Sequence, residues 1–118
     1  MIQRIRTYDE CRDFVSGFRN DPDFSDPMLL RDEQIRCNLI RPIEHPEAHL
    51  VLGVYREAQL TGLFAFLVLP DENYMELLAG LSREREAYAQ MLAYLERHYP
   101  GYQADFVFNP RNYLLKEL

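Results

Sequence analysis

The sequence predicts an α/β fold with a mixed, largely antiparallel central sheet and helices on both faces. Three patterns support this prediction. Apolar residues follow helical spacing over residues 11–18, two apolar stretches flank a short polar turn over residues 50–69, and a strand, a helix and a strand follow one another over residues 74–108. A hairpin pairs its strands antiparallel, whereas strands joined by a helix pair in parallel, so one sheet is expected to contain both kinds of pairing.

The N-terminal part is expected to form one short strand and two helices. MIQRIRT is the predicted strand, and Thr7 and Glu10 have the spacing of a capping box for the helix that follows. The apolar stripe of this helix consists of Cys11, Phe14, Val15 and Phe18. Asp26 is predicted to cap a second helix over residues 27–40, because Pro27 follows it and proline is favoured at the first helical position.

Residues 41–49 are predicted to be a loop, because they contain two prolines. His45 and His49 could suit a metal by spacing, but Pro46 lies between them and argues against the helix that this spacing requires. Asp21 and its neighbours begin like a calcium loop, but Asp26 stands where such a loop needs glycine. The sequence therefore predicts no metal site.

The C-terminal part is expected to supply most of the sheet. Residues 50–56 and 60–69 are predicted to form a hairpin with a longer loop around REAQ, and the second strand is apolar enough to be central. YMELLAGL follows as a third strand. Ser82 is predicted to cap the next helix, which Pro100 and Gly101 end. The predicted inner stripe of this helix consists of Ala87, Met91 and Leu95, and it is widened by Tyr88, Leu92 and Tyr94. QADFVF is then a strand, and NPRNYLLKEL is a turn that leads into a last helix.

The composition argues against several classes of partner and location. The chain has 118 residues, which fits one domain, and a formal charge of −6, which argues against a nucleic-acid partner because an acidic surface repels phosphate. The longest apolar run, Leu63–Leu69, is shorter than the about 20 residues that span a membrane. Cys11 and Cys37 lack the spacing of a redox or metal motif, so reduced thiols and a cytoplasmic location are expected.

Three stretches resemble the GNAT (Gcn5-related N-acetyltransferase) family. VYREAQLTGLFAFLVL is similar to the family's hairpin, with a glycine early in its second strand, and YMELLAGL is similar to its fourth strand. FVFNPRNYLLKEL resembles the fifth strand and the turn at which an asparagine, here Asn112, begins the next helix. The resemblance implies a single GNAT-like domain over residues 1–118, truncated before the family's last strands, and hence the N-terminal part of a longer acetyltransferase.

The resemblance also implies a cofactor and a set of site residues. Enzymes of this family hold acetyl-CoA between splayed fourth and fifth strands. The pantetheine pairs with the fourth-strand backbone, and the pyrophosphate lies at a helix start, where N–H groups carry partial positive charge. Glu76 matches a general base on the strand, and Tyr113 a general acid after the fifth strand. The positions that match the cofactor contacts are Leu78, Gly80, Ser82, Arg83, Arg85 and Asn112.

The pyrophosphate loop departs from the family pattern. The family's loop contains glycines that let the backbone approach the diphosphate, whereas this chain has the sequence LSRERE over residues 81–86. Glu84 and Glu86 would place carboxylates where the diphosphate binds, and Arg83 and Arg85 could offset part of that charge. The loop is thus either a modified cofactor site or a plain capped helix, and Glu76 is either a base or a surface residue.

These observations are compatible with two functions. In the first, the parent protein transfers acetyl from acetyl-CoA to an amine of a small molecule or peptide, and the acidic surface suits a cationic amine. In the second, the chain is an inert GNAT-like module that packs on a second GNAT domain or forms a homodimer through an open sheet edge. A small-molecule sensor that uses the cleft is a third class, and no residue favours it.

Overall fold

The described residues form a five-stranded sheet with apolar clusters on both faces. The structure, a computed structural model, describes residues 1–106 and 109–116, with side chains up to Leu114. β1 to β4 pair antiparallel, and β4 and β5 pair in parallel, which confirms the predicted mixed sheet and the central place of the long apolar strand. The strands lie side by side in chain order: β1 (Ile2–Arg4), β2 (His49–Arg56), β3 (Gln59–Leu69), β4 (Tyr74–Ser82) and β5 (Gln103–Asp105).

The hairpin between β2 and β3 turns through two residues. Arg56 pairs with Gln59, so the turn consists of Glu57 and Ala58, whose φ angles are 52° and 68°. The prediction of a longer loop is therefore wrong. A tight turn with positive φ matches the twist of the flanking strands, and it forms here without the Asn-Gly sequence that usually signals it.

The first helix is shorter than its apolar stripe predicts. Tyr8–Glu10 form a 3₁₀ helix, and α1 covers only Arg12–Ser16. The predicted capping box is wrong, because Thr7 makes no side-chain cap and the Glu10 carboxylate accepts a hydrogen bond from the N–H of Arg6 instead. The stripe still faces the core, since the structure buries Cys11, Val15 and Phe18.

Asp26 caps a 3₁₀ helix and not a long α-helix. Its carboxylate accepts from the N–H of Met28 at 2.8 Å, and Pro27 occupies the first position, as predicted. The helix covers only Pro27–Leu29, so the predicted continuous helix over residues 27–40 is wrong.

Helical structure resumes further along the chain and continues through a proline. It consists of α2 (Asp32–Ile35), a π-helical turn (Arg36–Ile40) and α3 (Arg41–Glu44). The predicted loop is therefore wrong over residues 41–44. Proline lacks an N–H and crowds the carbonyl four residues earlier, and the wider π turn before Pro42 accommodates both effects.

α4 (Arg85–His98) covers one face of the sheet. The prediction that Ser82 caps this helix is wrong, because Ser82 is the last residue of β4. Its hydroxyl donates to the carbonyl of Thr61 at 2.7 Å and accepts from the N–H of Glu84 at 3.0 Å, so it fixes the strand end and the loop together. The predicted inner stripe is confirmed, with burial of Ala87, Tyr88, Met91 and Leu95.

The two faces of the sheet carry different apolar clusters. On the α4 side lie Leu50, Leu52, Phe64, Phe66, Met75 and Leu77. On the side of the N-terminal helices lie Val51, Leu63, Ala65, Ala79, Leu81, Leu29 and Leu39. Neighbouring residues of β2 and β3 thus point alternately into the two clusters, as a strand covered on both faces requires.

The C-terminal strand and helix follow the predicted order. β5 ends at Asp105, and residues 107–108 of the predicted strand lie outside the described residues. α5 (Tyr113–Lys116) is the predicted last helix, and Leu114 joins the cluster on the α4 side. Within the described residues, no helix combines the length and the apolar character needed to cross a membrane.

Candidate functional site

β4 and β5 pair only over the first three residues of β4. The parallel ladder joins Tyr74–Glu76 to Gln103–Asp105, whereas β4 continues to Ser82. The pairing of β4 with β3 also shifts at Leu78, which is the extra residue of a β-bulge and bends the strand. Beyond Glu76, β4 has no strand partner on this side among the described residues. We call the region between residues 77–82 and the turn 109–112 the cleft.

The carboxylate of Asp26 lies in the cleft. Its Oδ2 accepts from the N–H of Gly80 at 2.7 Å, while Oδ1 accepts from the N–H of Met28. The residue is only 3% exposed, and this burial raises the pKa of Asp26 to about 6, although the two N–H donors act to lower it. A carboxylate of the chain itself therefore satisfies a β4 N–H that a strand or a ligand could otherwise take.

Asn112 belongs to a buried series of hydrogen bonds that joins β4, α4 and α5. Its Nδ2 donates to the hydroxyl oxygen of Tyr88 at 2.9 Å, and that hydroxyl donates to the carbonyl of Ser82 at 2.9 Å. Asn112 Oδ1 accepts from the N–H of Leu114 at 3.1 Å and thereby caps α5, which confirms the predicted helix start. Burial raises the pKa of Tyr88, so its hydroxyl remains a donor at neutral pH.

Arg83, one of the predicted pyrophosphate contacts, is engaged by the N-terminal part of the chain. Its Nε and Nη2 donate to Oδ2 of Asp21 at 3.1 and 2.9 Å, and Nη2 also donates to the carbonyl of Gly17 at 3.0 Å. Its guanidinium carbon lies 3.9 Å from the centre of the Phe18 ring. These contacts hold the side chain in a planar arrangement that suits arginine and not lysine.

The start of α4 is a poor fit for a diphosphate as it is folded. Ser82 is buried at the end of β4, and Glu84 forms an ion pair with Arg56. Glu86 adds a second carboxylate in the first helical turn, where Arg85 is exposed. A diphosphate needs free N–H groups and close backbone approach, which glycines provide and this loop does not. The assignment of acetyl-CoA to Ser82, Arg83 and Arg85 therefore stays a prediction.

The predicted base and acid are not brought together. Glu76 is half-buried on the paired part of β4, directly opposite Asp105 of β5. Tyr113 begins α5, is 55% exposed and contacts the ring of Phe24 with its centre 5.8 Å away. Among the described residues, no hydrogen bond or ring contact joins Glu76 to Tyr113. Their catalytic roles stay predictions, as does the backbone role of Leu78.

Negative charge gathers around the paired ends of β4 and β5. The hydroxyl of Tyr74 donates to Oδ2 of Asp105 at 2.8 Å. This hydrogen bond, with the nearby charges of Glu76 and Glu72, raises the pKa of Tyr74 to about 12. The part of the chain that the structure describes contains no group of three or more His, Cys, Asp or Glu residues that could hold a metal ion.

Comparison with known proteins shows the fold. The structure is similar to the crystal structure of the PaiA N-acetyltransferase from Thermoplasma acidophilum in complex with coenzyme A, with a TM-score of 0.62. The alignment covers 84% of this chain and 70% of that chain, at 15% sequence identity. No protein-family model matches the sequence, and a search of curated proteins found no match. The chain therefore has the α/β fold of a GNAT N-acetyltransferase, while its activity is not shown by this likeness.

The sequence interpretation missed the contact that closes the cleft. Asp26 was recognised as a helix cap from the proline that follows it, which is a local signal. Its second contact, with Gly80, joins residues 54 positions apart, and no spacing rule predicts it. Tyr88 was assigned to a helix stripe, and its hydroxyl bond to Ser82 was likewise not foreseen.

Proposed function

We propose that this chain is a non-catalytic module with the GNAT fold, which keeps its cofactor cleft closed and packs on a second GNAT domain or a second copy. The hydrogen bond from Gly80 to Asp26 carries the proposal. It fills the hydrogen-bonding position on β4 with a carboxylate of the same chain. An inert module needs no cofactor, so a cleft that is closed in this structure is compatible with this role, whereas acetyl transfer would require it to open.

Electrostatics along the cofactor path support the same proposal. Asp26 in the cleft and Glu84 and Glu86 at its mouth place negative charge where an anionic cofactor would run. Like charges repel, and they do so more strongly where solvent is excluded. Arg56 offsets the charge of Glu84, and Arg83, in the loop before α4, is already bonded to Asp21 and Gly17.

The surface around β5 supports a structural role. Within the described residues β5 pairs only with β4, so its outer edge is open. Beside it lies a cavity of about 310 Å³ whose lining includes Met75, Leu95, Tyr99, Tyr102 and Phe106. An open edge next to an apolar surface is the kind of feature that a second chain or domain covers. The acetyltransferase activity of the parent protein would then belong to that second domain.

A second candidate function is acetyl transfer by this chain from acetyl-CoA to an amine. One observation favours it, namely a fold shared with an N-acetyltransferase whose crystal structure contains coenzyme A. This function would require Asp26 to leave Gly80. Glu76 and Tyr113 would then be the candidate base and acid.

Thermal unfolding with and without about 1 mM acetyl-CoA at neutral pH separates the two functions. Ligand at a hundred times its dissociation constant adds about 2.7 kcal/mol, which is several degrees for a domain of this size. We expect no shift for this chain and a clear rise for the Thermoplasma acidophilum PaiA protein as the positive control. A saturable rise for this chain would overturn the proposal. Sedimentation then identifies the partner, since self-association indicates a second copy.

A further inference from the structure

A short segment crosses the mouth of the cleft and is bonded on one side to β4 and to the loop before α4. We call residues 21–26 the strap. Near its end, Asp26 accepts the hydrogen bond from Gly80 of β4. At its start, Asp21 accepts two hydrogen bonds from Arg83, in the loop that leads into α4. Both anchors on this side are carboxylates.

The other side of the strap is held by the turn that follows β5. Asn109 Nδ2 donates to the carbonyl of Ser25 at 3.1 Å and lies 3.4 Å from the carbonyl of Pro22. Between the anchors, the ring of Phe24 packs against both apolar clusters and against Tyr113 of α5. The strap thus joins the two sides of the cleft.

The strap is attached to these two sides through side chains. Within the described residues its backbone hydrogen bonds are local, such as the bond from the N–H of Ser25 to the carbonyl of Asp21 at 3.2 Å. No strand ladder includes the strap. It can therefore leave the cleft without breaking any pairing of the sheet, and local openings of this kind need less free energy than global unfolding.

Of the two carboxylate anchors, Asp26 is the one whose ionised form gains most by moving into water. It is buried, and among the described side chains no cation forms an ion pair with it. Its neighbours are the N–H of Met28 in the strap's own helix, the N–H of Gly80 in β4 and the neutral hydroxyl of Tyr88 in α4. A buried carboxylate without a cationic partner is destabilised when ionised.

We propose that the strap is a closure that opens when the ionised Asp26 carboxylate leaves Gly80 for water, which uncovers the β4 edge beyond Glu76. The proposal deepens the proposed function and rests on it, because the strap is what keeps the cleft closed there. Opening of the strap and binding of acetyl-CoA are nevertheless separate observables.

The pKa of Asp26 in the closed and open states determines how opening of the strap depends on pH. In the closed state burial raises the pKa of Asp26 to about 6, whereas in the open state the carboxylate is in water with an ordinary value of 3.8. The closed state therefore binds the proton more tightly, so acid favours closure and a pH above about 6 favours opening. The Asp21 anchor does not titrate in this range, because N–H donors and Arg83 lower the pKa of Asp21.

Amide hydrogen exchange of the full chain, followed by NMR, tests the proposal. We expect the protection factor of the Gly80 amide to fall about tenfold between about pH 5 and about pH 7.5, after correction for intrinsic exchange. The reference is the amide of Val68, which donates to the carbonyl of Ala48 and reports on the sheet. Its protection should change much less.

Two variants complete the test. Asp26→Asn removes the titrating group, so the pH dependence of Gly80 protection should disappear. Asn109→Ala loosens the opposite side and should lower Gly80 protection at both pH values. Gly80 protection that is independent of pH in the wild type, or that follows Val68 throughout, would overturn the proposal. Neither result depends on acetyl-CoA, so failure here is distinct from failure of the proposed function.

Discussion

Asp26 and Gly80, 54 residues apart in the sequence, are joined by a hydrogen bond of 2.7 Å from a β4 N–H to a carboxylate that is only 3% exposed. This contact satisfies the N–H of Gly80, which no strand among the described residues pairs on that side of β4. It also confines a negative charge where no cation among the described side chains compensates it. The hydrogen bond stabilises the folded state, whereas burial of the charge destabilises it. The pH changes this balance because it determines whether Asp26 is ionised.

The pH dependence of the free energy of unfolding should reveal the titration of Asp26. The folded-state pKa of Asp26 is about 6 and the ordinary value is 3.8, so the folded state holds a proton that the unfolded state has lost. This contribution is present in acid and is lost as the pH rises through about 6. Compared with Asp26→Asn, the wild type should gain about 2 kcal/mol between about pH 7.5 and about pH 4.5. Urea denaturation across this range measures it.

Asp21 provides the control for that experiment. The pKa of Asp21 is lowered by N–H donors and by Arg83, so its stabilising contribution is present above the ordinary value of 3.8 and is lost in stronger acid. Asp21→Asn should therefore leave the pH dependence between about pH 7.5 and about pH 4.5 unchanged. A flat difference between wild type and Asp26→Asn would mean that Asp26 is hydrated in the folded state.

Arg83 should contribute more to stability than Arg111, although both bind carboxylates of the strap. Arg83 makes two hydrogen bonds to Asp21, one to Gly17 and a stacking contact with Phe18. Arg111 lies 3.6 Å from Asp23, with both side chains more than half exposed. Arg83→Ala should lower the free energy of unfolding by about 1–2 kcal/mol, and Arg111→Ala by less than about 0.5 kcal/mol.

The Arg83→Lys variant tests whether stability here depends on the planar guanidinium of Arg83 or only on its positive charge. Lysine keeps the charge but cannot make the paired hydrogen bonds and the stacking contact together. Most of the loss seen for Arg83→Ala should therefore remain in this variant. Full recovery by lysine would show that only the charge near Asp21 matters.

The sequence predicted the parts of the fold that local patterns specify. β3 is apolar at nearly every position around Phe64 and Phe66, and the apolar stripe of α4 has regular spacing, so local patterns predict both elements. Prediction failed where two local signals compete. Pro42 predicts a helix end, but a π turn before it lets the helix continue. Ser82 is a residue type favoured at helix caps, but here it is the last residue of β4.

The candidate site was less predictable because tertiary contacts define it. The loop over residues 81–86 lacks the glycines of a diphosphate site, and whether it binds a diphosphate stays a prediction. The contacts of Asp26 and Arg83, however, depend on how the N-terminal helices pack against β4. Local patterns suggest only a calcium-loop-like start at Asp21 and a helix cap at Asp26, whereas each residue also bonds one more than fifty positions away.

The turn between β2 and β3 should be improved by a better turn sequence. Glu57 and Ala58 both adopt positive φ, which side chains with a Cβ disfavour. The double substitution Glu57→Asn and Ala58→Gly supplies the residues that this turn type prefers and should raise stability by about 1 kcal/mol. Thermal unfolding measures the gain. As a control, Asp71→Asn, in an exposed 3₁₀ helix, should change little, and a double variant no more stable than wild type would contradict the proposed strain.

Gly62 should be intolerant of a side chain because β3 and α4 approach closely there. A Cβ on Gly62 would lie 2.8 Å from the Cβ of Ala87, which is fixed to the helix backbone and cannot rotate away. Gly62→Ala should therefore destabilise the chain by about 1–3 kcal/mol through displacement of α4.

Gly17 offers a matched control for that substitution. It has an ordinary helical φ of −67°, and a Cβ there would meet its nearest atom at an ordinary distance of 3.5 Å. Gly17→Ala should be neutral or stabilising by up to about 1 kcal/mol, since alanine restricts the unfolded chain. Urea denaturation of both variants makes the comparison. Equal effects at the two positions would show that α4 can move away from β3 at little cost, and the packing of Ala87 against Gly62 would then not fix the position of the helix.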